Sequence, residues 1–144
     1  MAKLDTEPFK IAVRREFAFL IDELGFAEIP APEQMNEFSV WFANDATRLV
    51  VESINWGLNA RVALGRSGAV DAFENYDLLD YVAVHSPESQ IDAESRPAGA
   101  LNQLAAMATI LREHAAPVLQ GDFALFASVQ KIVDRRSIDL KKNR

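Results

Sequence analysis

The chain has 144 residues, 49% of them hydrophobic, with a formal net charge of −6 and no cysteine. That length suits one domain with a full core. The absence of cysteine excludes disulfides, thiolate metal sites and thiol nucleophiles, and it fits a reducing compartment. No stretch of about 18 apolar residues exists to span a bilayer, and the start, Met1 to Pro8, lacks the apolar core of a secretory signal, so a cytoplasmic protein is expected.

Taken in chain order, Thr6 to Leu24 reads as a first helix. Asp5 or Thr6 caps it and Pro8 suits its first turn. Phe9, Val13, Phe17, Leu20 and Leu24, with Ile21 beside them, form its inner stripe. Gly25 stops it, because glycine takes a left-handed conformation without a Cβ penalty. Phe26 to Ile29 is a candidate short strand, and Pro30-Ala31-Pro32 forces an extended linker.

Three strands follow: Glu37 to Ala43, Arg48 to Trp56 and Asn59 to Gly65. β-Branched and aromatic residues fill them, and turn residues separate them. Side chains alternate faces along a strand, and directly paired residues share a face. If both hairpin loops are even in length, Phe38, Val40, Phe42, Leu49, Val51, Ala60, Val62 and Leu64 form one apolar face, interrupted by Ser53 and Asn55. Ser39, Trp41, Arg48, Val50, Glu52, Ile54, Trp56 and Arg61 form the other. An odd loop or a bulge would exchange the faces beyond it.

Arg66 to Glu74 reads as a loop. Asn75 is the expected cap of a helix from Tyr76 to His85, and Ser86 to Arg96 reads as a surface loop. Pro97 opens a long helix, with Leu101, Leu104, Ala105, Ala108, Leu111 and Ala115 as its stripe, widened by Met107 and Ile110. Pro117 ends or kinks it. Asp122 caps a last helix through about Arg136, with Phe123, Phe126, Val129, Ile132 and Val133 inward. Residues 137–144 are expected to fray. A helix, then strands, then helices specify a single α+β domain over residues 1–144. Its sheet is an antiparallel meander of three to four strands with helices packed on one face.

Charge is uneven. Lys131 to Arg144 carries six basic residues and two acids, a net +4, which leaves the first 130 residues at −10. An acidic body argues against nucleic acid and for a basic protein partner, while cations at the end of a last helix suit its dipole.

The chemical motifs are few. Asp71, Glu74, Asp77 and Asp80 recur every third residue, but the glycine turn of a calcium loop is missing. His85 and His114 fall near predicted helix C-termini, where a cation is favoured, and no HExxH occurs. Gly65-Arg66-Ser67-Gly68-Ala69 lacks the lysine of a phosphate loop and the last glycine of a nucleophile elbow. No catalytic residue, metal set or cofactor follows. The candidate site is Trp41, Arg48, Glu52, Trp56 and Arg61, since tryptophan and arginine are enriched where proteins meet. A further layer of the fold, or a second subunit, could cover that face instead.

The segments Glu16-Phe17-Ala18-Phe19-Leu20 to Gly25-Phe26, Phe42-Ala43-Asn44, Leu49-Val50-Val51 and Val118-Leu119-Gln120-Gly121-Asp122 resemble those of small uncharacterised bacterial α+β proteins. Some of these are grouped with immunity proteins of polymorphic toxin systems. The resemblance touches most of the chain through short pieces and carries no catalytic residue. It implies a binding role in the bacterial cytoplasm, and the first reading is a non-enzymatic, immunity-type inhibitor of a basic toxin that meets its partner through the mixed sheet face or the loop Ser86 to Arg96. Two other readings accompany it. One is a small-molecule-binding protein or enzyme with a pocket between sheet and helices, Glu52 and Asp77 being its candidate acids. The other is a homodimer formed through the sheet face or an exposed strand edge.

Overall fold

The computed structural model describes residues 7–31, 38–54, 57–67, 75–87 and 99–142. The elements in chain order are α1 (Glu7–Glu16), α2 (Ala18–Leu24), β1 (Ala27–Ile29), β2 (Ser39–Ala43), β3 (Thr47–Ile54), β4 (Asn59–Arg66), β5 (Tyr76–Asp77), α3 (Leu78–His85), α4 (Ala100–His114), α5 (Ala116–Leu119) and α6 (Phe126–Lys142). The strands form one antiparallel sheet in the order β1-β2-β3-β4-β5. The α+β class therefore holds, with five strands rather than three to four. The addition is β5, whose two residues pair Tyr76 with Leu64 and Asp77 with Ala63.

The parity argument holds in detail. Ala43 pairs with Arg48, and Ile54 with Asn59, so four residues intervene at each hairpin. Val40, Phe42, Leu49, Val51, Ala60, Val62 and Leu64 consequently share a face and are buried with the apolar residues of all six helices. Phe38, assigned to that face by parity, lies at its rim and is exposed. The β2–β3 turn is shaped by Asn44, whose Oδ1 accepts the backbone N–H groups of Ala46 and Thr47. It is tied to α5 from both sides: Thr47 Oγ1 donates to the Val118 carbonyl at 2.6 Å, and Asn44 Nδ2 to that of Leu119 at 3.2 Å. Carbonyls that end a helix need such partners.

Several boundaries differ from the sequence reading. The first helix is two, because Phe17 (φ −103°, ψ 14°) leaves helical geometry and Leu20 N–H reaches back only three residues, to the Phe17 carbonyl. That break turns Phe19 inward, while Ile21 faces out. Gly25 does close α2, in the left-handed region at φ 73°. The predicted helix from Tyr76 starts two residues later, because β5 holds Tyr76 and Asp77 extended, and the cap is Asp77, not Asn75: its Oδ1 accepts Leu79 N–H at 2.8 Å. The stripe on α4 is rotated by one position. Ala100, Gln103, Leu104, Met107, Ala108 and Leu111 are buried, whereas Leu101 is 52% exposed and Ala105 lies outside.

Gln103 explains the rotation. β5 covers the outer edge of β4 only at Ala63 and Leu64, and the uncovered Ala60 N–H donates instead to Gln103 Oε1 at 2.8 Å. Gln103 Nε2 donates to Asn59 Oδ1 at 3.0 Å and to the Leu58 carbonyl at 3.4 Å. One inward amide thus replaces a missing strand, and an unpaired buried N–H would cost about 1–3 kcal/mol. Asp122 accepts Ala124 N–H through Oδ1 ahead of α6, as its position suggests, and α6 continues to Lys142 rather than stopping near Arg136. The basic residues of that last stretch suit its carbonyl end.

Candidate functional site: the helix-free face of the sheet

Among the described residues the helices pack against one face, and the other carries strand residues with no described helix among them. Register places Ile29 of β1, Ser39 and Trp41 of β2, Arg48, Val50 and Glu52 of β3, Arg61 and Ala63 of β4, and Asp77 of β5 on it. At its centre Trp41, Val50 and Ala63 form a second apolar cluster, with Ile29 and Ala31 against it and no helix residue among its members. Trp41 is only 8% exposed. Its indole N–H donates to Ser39 Oγ at 3.0 Å, and the Arg48 guanidinium lies over the ring at 5.5 Å from its centroid.

Beside that cluster runs a line of charge. Glu52 and Arg61 are directly opposite on β3 and β4. Arg61 Nη1 donates to Glu52 Oε1 at 2.9 Å and Nε to Asp77 Oδ2 at 3.2 Å, and Nη2 donates to the Asn75 carbonyl at 3.3 Å. Asn75 Oδ1 also accepts from Arg48 Nη2 at 3.3 Å. Burial by itself would lower the Arg61 pKa; the Glu52 hydrogen bond and the charges of Asp77 and Glu52 outweigh it, and the net effect is a rise. Arg61 is therefore cationic throughout the working range of pH, fixed by three acceptors, with its charge half-screened from water.

The structure thus brings together four of the five residues singled out from sequence as Arg48 on Trp41 and Glu52 on Arg61. The fifth, Trp56, lies outside the described residues. Sequence reasoning missed Asn75 and the placement of Asp77 here. Both arrive through β5, a two-residue pairing that leaves no periodic signal.

No family model matches this chain, and neither a curated protein nor a solved structure does.

The remaining sequence candidates resolve locally. Asp77 and Asp80 are each spent on an arginine, Arg61 and Arg136, while Asp71 and Glu74 lie outside the described residues. Among the described residues no three His, Asp or Glu side chains converge as a metal set, and no helix is long and apolar enough to cross a membrane. His85 and His114 do end α3 and α4, and both reach the buried Ser86 hydroxyl, through Nδ1 at 2.8 and 3.3 Å. Sequence separation hid that convergence, which fastens the two helix ends to each other. Two adjoining surface recesses of about 240 and 330 Å³ share Leu24, Leu119 and Gln120. They lie beside the β2–β3 turn, away from Glu52 and Asp77.

Proposed function

We propose that this chain is a non-enzymatic protein-binding domain that engages a basic partner through the helix-free face, as an immunity-type inhibitor would. The observation that carries this reading is the fixed Glu52–Arg61–Asp77 line, part-exposed beside the buried Trp41 cluster. Side chains already locked in one arrangement lose little freedom on association, which is where much of the cost of binding lies. The charge of −10 over the first 130 residues supplies long-range attraction for a positively charged partner and speeds encounter. Both candidate acids on this face are ion-paired with Arg61.

The test is affinity capture from the source cell at low and high salt, with wild type and a Glu52→Gln/Arg61→Met double variant. Wild type should retain a basic protein at low salt and release it as salt rises. The double variant, checked for a native circular dichroism spectrum and cooperative melting, should retain at least tenfold less. Equal retention by both would remove this face from the interaction.

A further inference from the structure

A second side-chain cluster, away from that face, lies where α3 and α4 end. His85 is the last residue of α3 and His114 the last of α4. Their Nδ1 atoms converge on one oxygen, Ser86 Oγ, at 2.8 and 3.3 Å. Ser86 is buried, His114 half-buried and His85 exposed, so the cluster has a floor in the protein and a side open to water.

Hydrogen counting shows what such a set can hold. A serine hydroxyl has one hydrogen to give, and a bare imidazole nitrogen offers only a lone pair. At the other nitrogen of the His114 ring, Nε2, the Glu113 carboxylate stands 4.0 Å away. It favours the ring proton there and leaves His114 Nδ1 bare. The one neutral arrangement that then satisfies all three groups has His85 donating from Nδ1 to Ser86, and Ser86 donating to His114. Once His85 moves its proton to Nε2, a cation can take that proton's place.

The surroundings favour a cation. Two helices end at the cluster, and the carbonyl end of a helix carries about half a negative charge. The spacing suits a small ion as well. Ligands of a tetrahedral ion bound at about 2.0–2.1 Å stand about 3.4 Å apart, close to the 3.3 Å between His114 Nδ1 and Ser86 Oγ. The exposed His85 ring can swing to a similar spacing. Glu113 would then play the outer partner that a ligating imidazole commonly has at its second nitrogen. We propose that His85 Nδ1, His114 Nδ1 and Ser86 Oγ hold a divalent ion of the zinc class, with water completing the tetrahedron. Imidazole donors select zinc, nickel or copper over magnesium and calcium, which prefer an all-oxygen set. The ion clips the end of α3 to the end of α4 and stabilises the fold by linkage. Nothing in this depends on the partner-binding reading.

The chain has only two histidines, so the imidazole nitrogen signals of the untagged protein can be followed by NMR during titration with zinc chloride. Zinc should saturate at one ion per chain and move the Nδ1 signals of both rings. It should raise Tm by about 9 °C at about a hundred times its Kd. Magnesium chloride should do neither. Losing a ligand should cost no less than the roughly tenfold typical of a lost outer partner, so His85→Gln and His114→Gln should each weaken zinc binding by that factor in isothermal titration. Metal-free melts check that each variant folds, and where one does not, the wild-type titration decides. Wild type that shows no saturable zinc binding below about 1 mM overturns the proposal. So does binding that leaves either Nδ1 signal in place, binding that both variants retain, or equal binding of magnesium.

Discussion

Replacing Trp41 with alanine separates a structural from a contact role for the helix-free face. A tryptophan buries about 150–250 Å², and at about 25 cal/mol per Å² that sets a ceiling near 6 kcal/mol, lowered because the unfolded chain already buries part of it. The indole N–H bond to Ser39 and the Arg48 guanidinium over the ring contribute roughly 1 kcal/mol each, while Arg48 and Ile29 can settle partly into the space left behind. The expected loss is about 4 kcal/mol, within the range of about 3–5 kcal/mol for truncating buried aromatics. With about 2.1 cal/mol/K of unfolding entropy per residue, 144 residues carry about 0.3 kcal/mol/K, so Tm falls by about 13 °C. Trp41→Phe keeps most of the apolar area, loses the Ser39 bond, and should fall by only about 3–6 °C. Thermal melts and urea titrations of the three proteins measure this. A loss below about 1 kcal/mol for Trp41→Ala, the size typical of surface changes, would refute the reasoning: the indole would then not be holding Val50 and Ala63 together.

Gln103→Leu should destabilise by about 1–3 kcal/mol in urea, despite its added hydrophobicity, because Ala60 N–H loses its acceptor; a neutral or stabilising result would show that water replaces the amide. Gly121→Ala should cost roughly 1–3 kcal/mol through backbone strain alone at φ 92°, with the close approach to Ala46 Cβ adding to it. An added Ala46→Gly change should return only the steric part, a partition that thermal melts of the single and double variants can read. Tyr81 has its pKa raised above 10 by burial, with Asp122 adding to it. The folded state therefore holds that proton more tightly than the unfolded state, and stability should be complete below pH 10 and decline as pH climbs past it. In Tyr81→Phe the decline should be shallower, as urea midpoints from pH 9 to 11 would show.

Much of the sheet was legible because parity is a strong constraint. Once both hairpins are even, Phe42, Leu49 and Leu64 must share a face, and Trp41, Arg48 and Arg61 the reverse. What escaped were features with no local period. β5 is two residues long, and its Asp77 serves Arg61 through one oxygen and Leu79 N–H through the other. The Phe17 break was hidden because Val13, Phe17 and Leu20 keep helical spacing across it. Gln103 reads as a polar residue that belongs outside, and only the open edge of β4 turns it in. Asp77 was paired with Glu52 from the sequence, but its place on this face, and Asn75 beside it, stayed hidden for the same reason as β5.

The lengths of the outer strands have a consequence for behaviour at high concentration. β1 offers three residues and is followed at once by Pro30, while β5 offers two. Edge-to-edge addition needs a run of free amide and carbonyl groups, and among the described residues Pro30 ends β1 while β5 and Gln103 take up part of the β4 border. Crowded solutions of this chain should therefore be slow to grow fibres from these two borders.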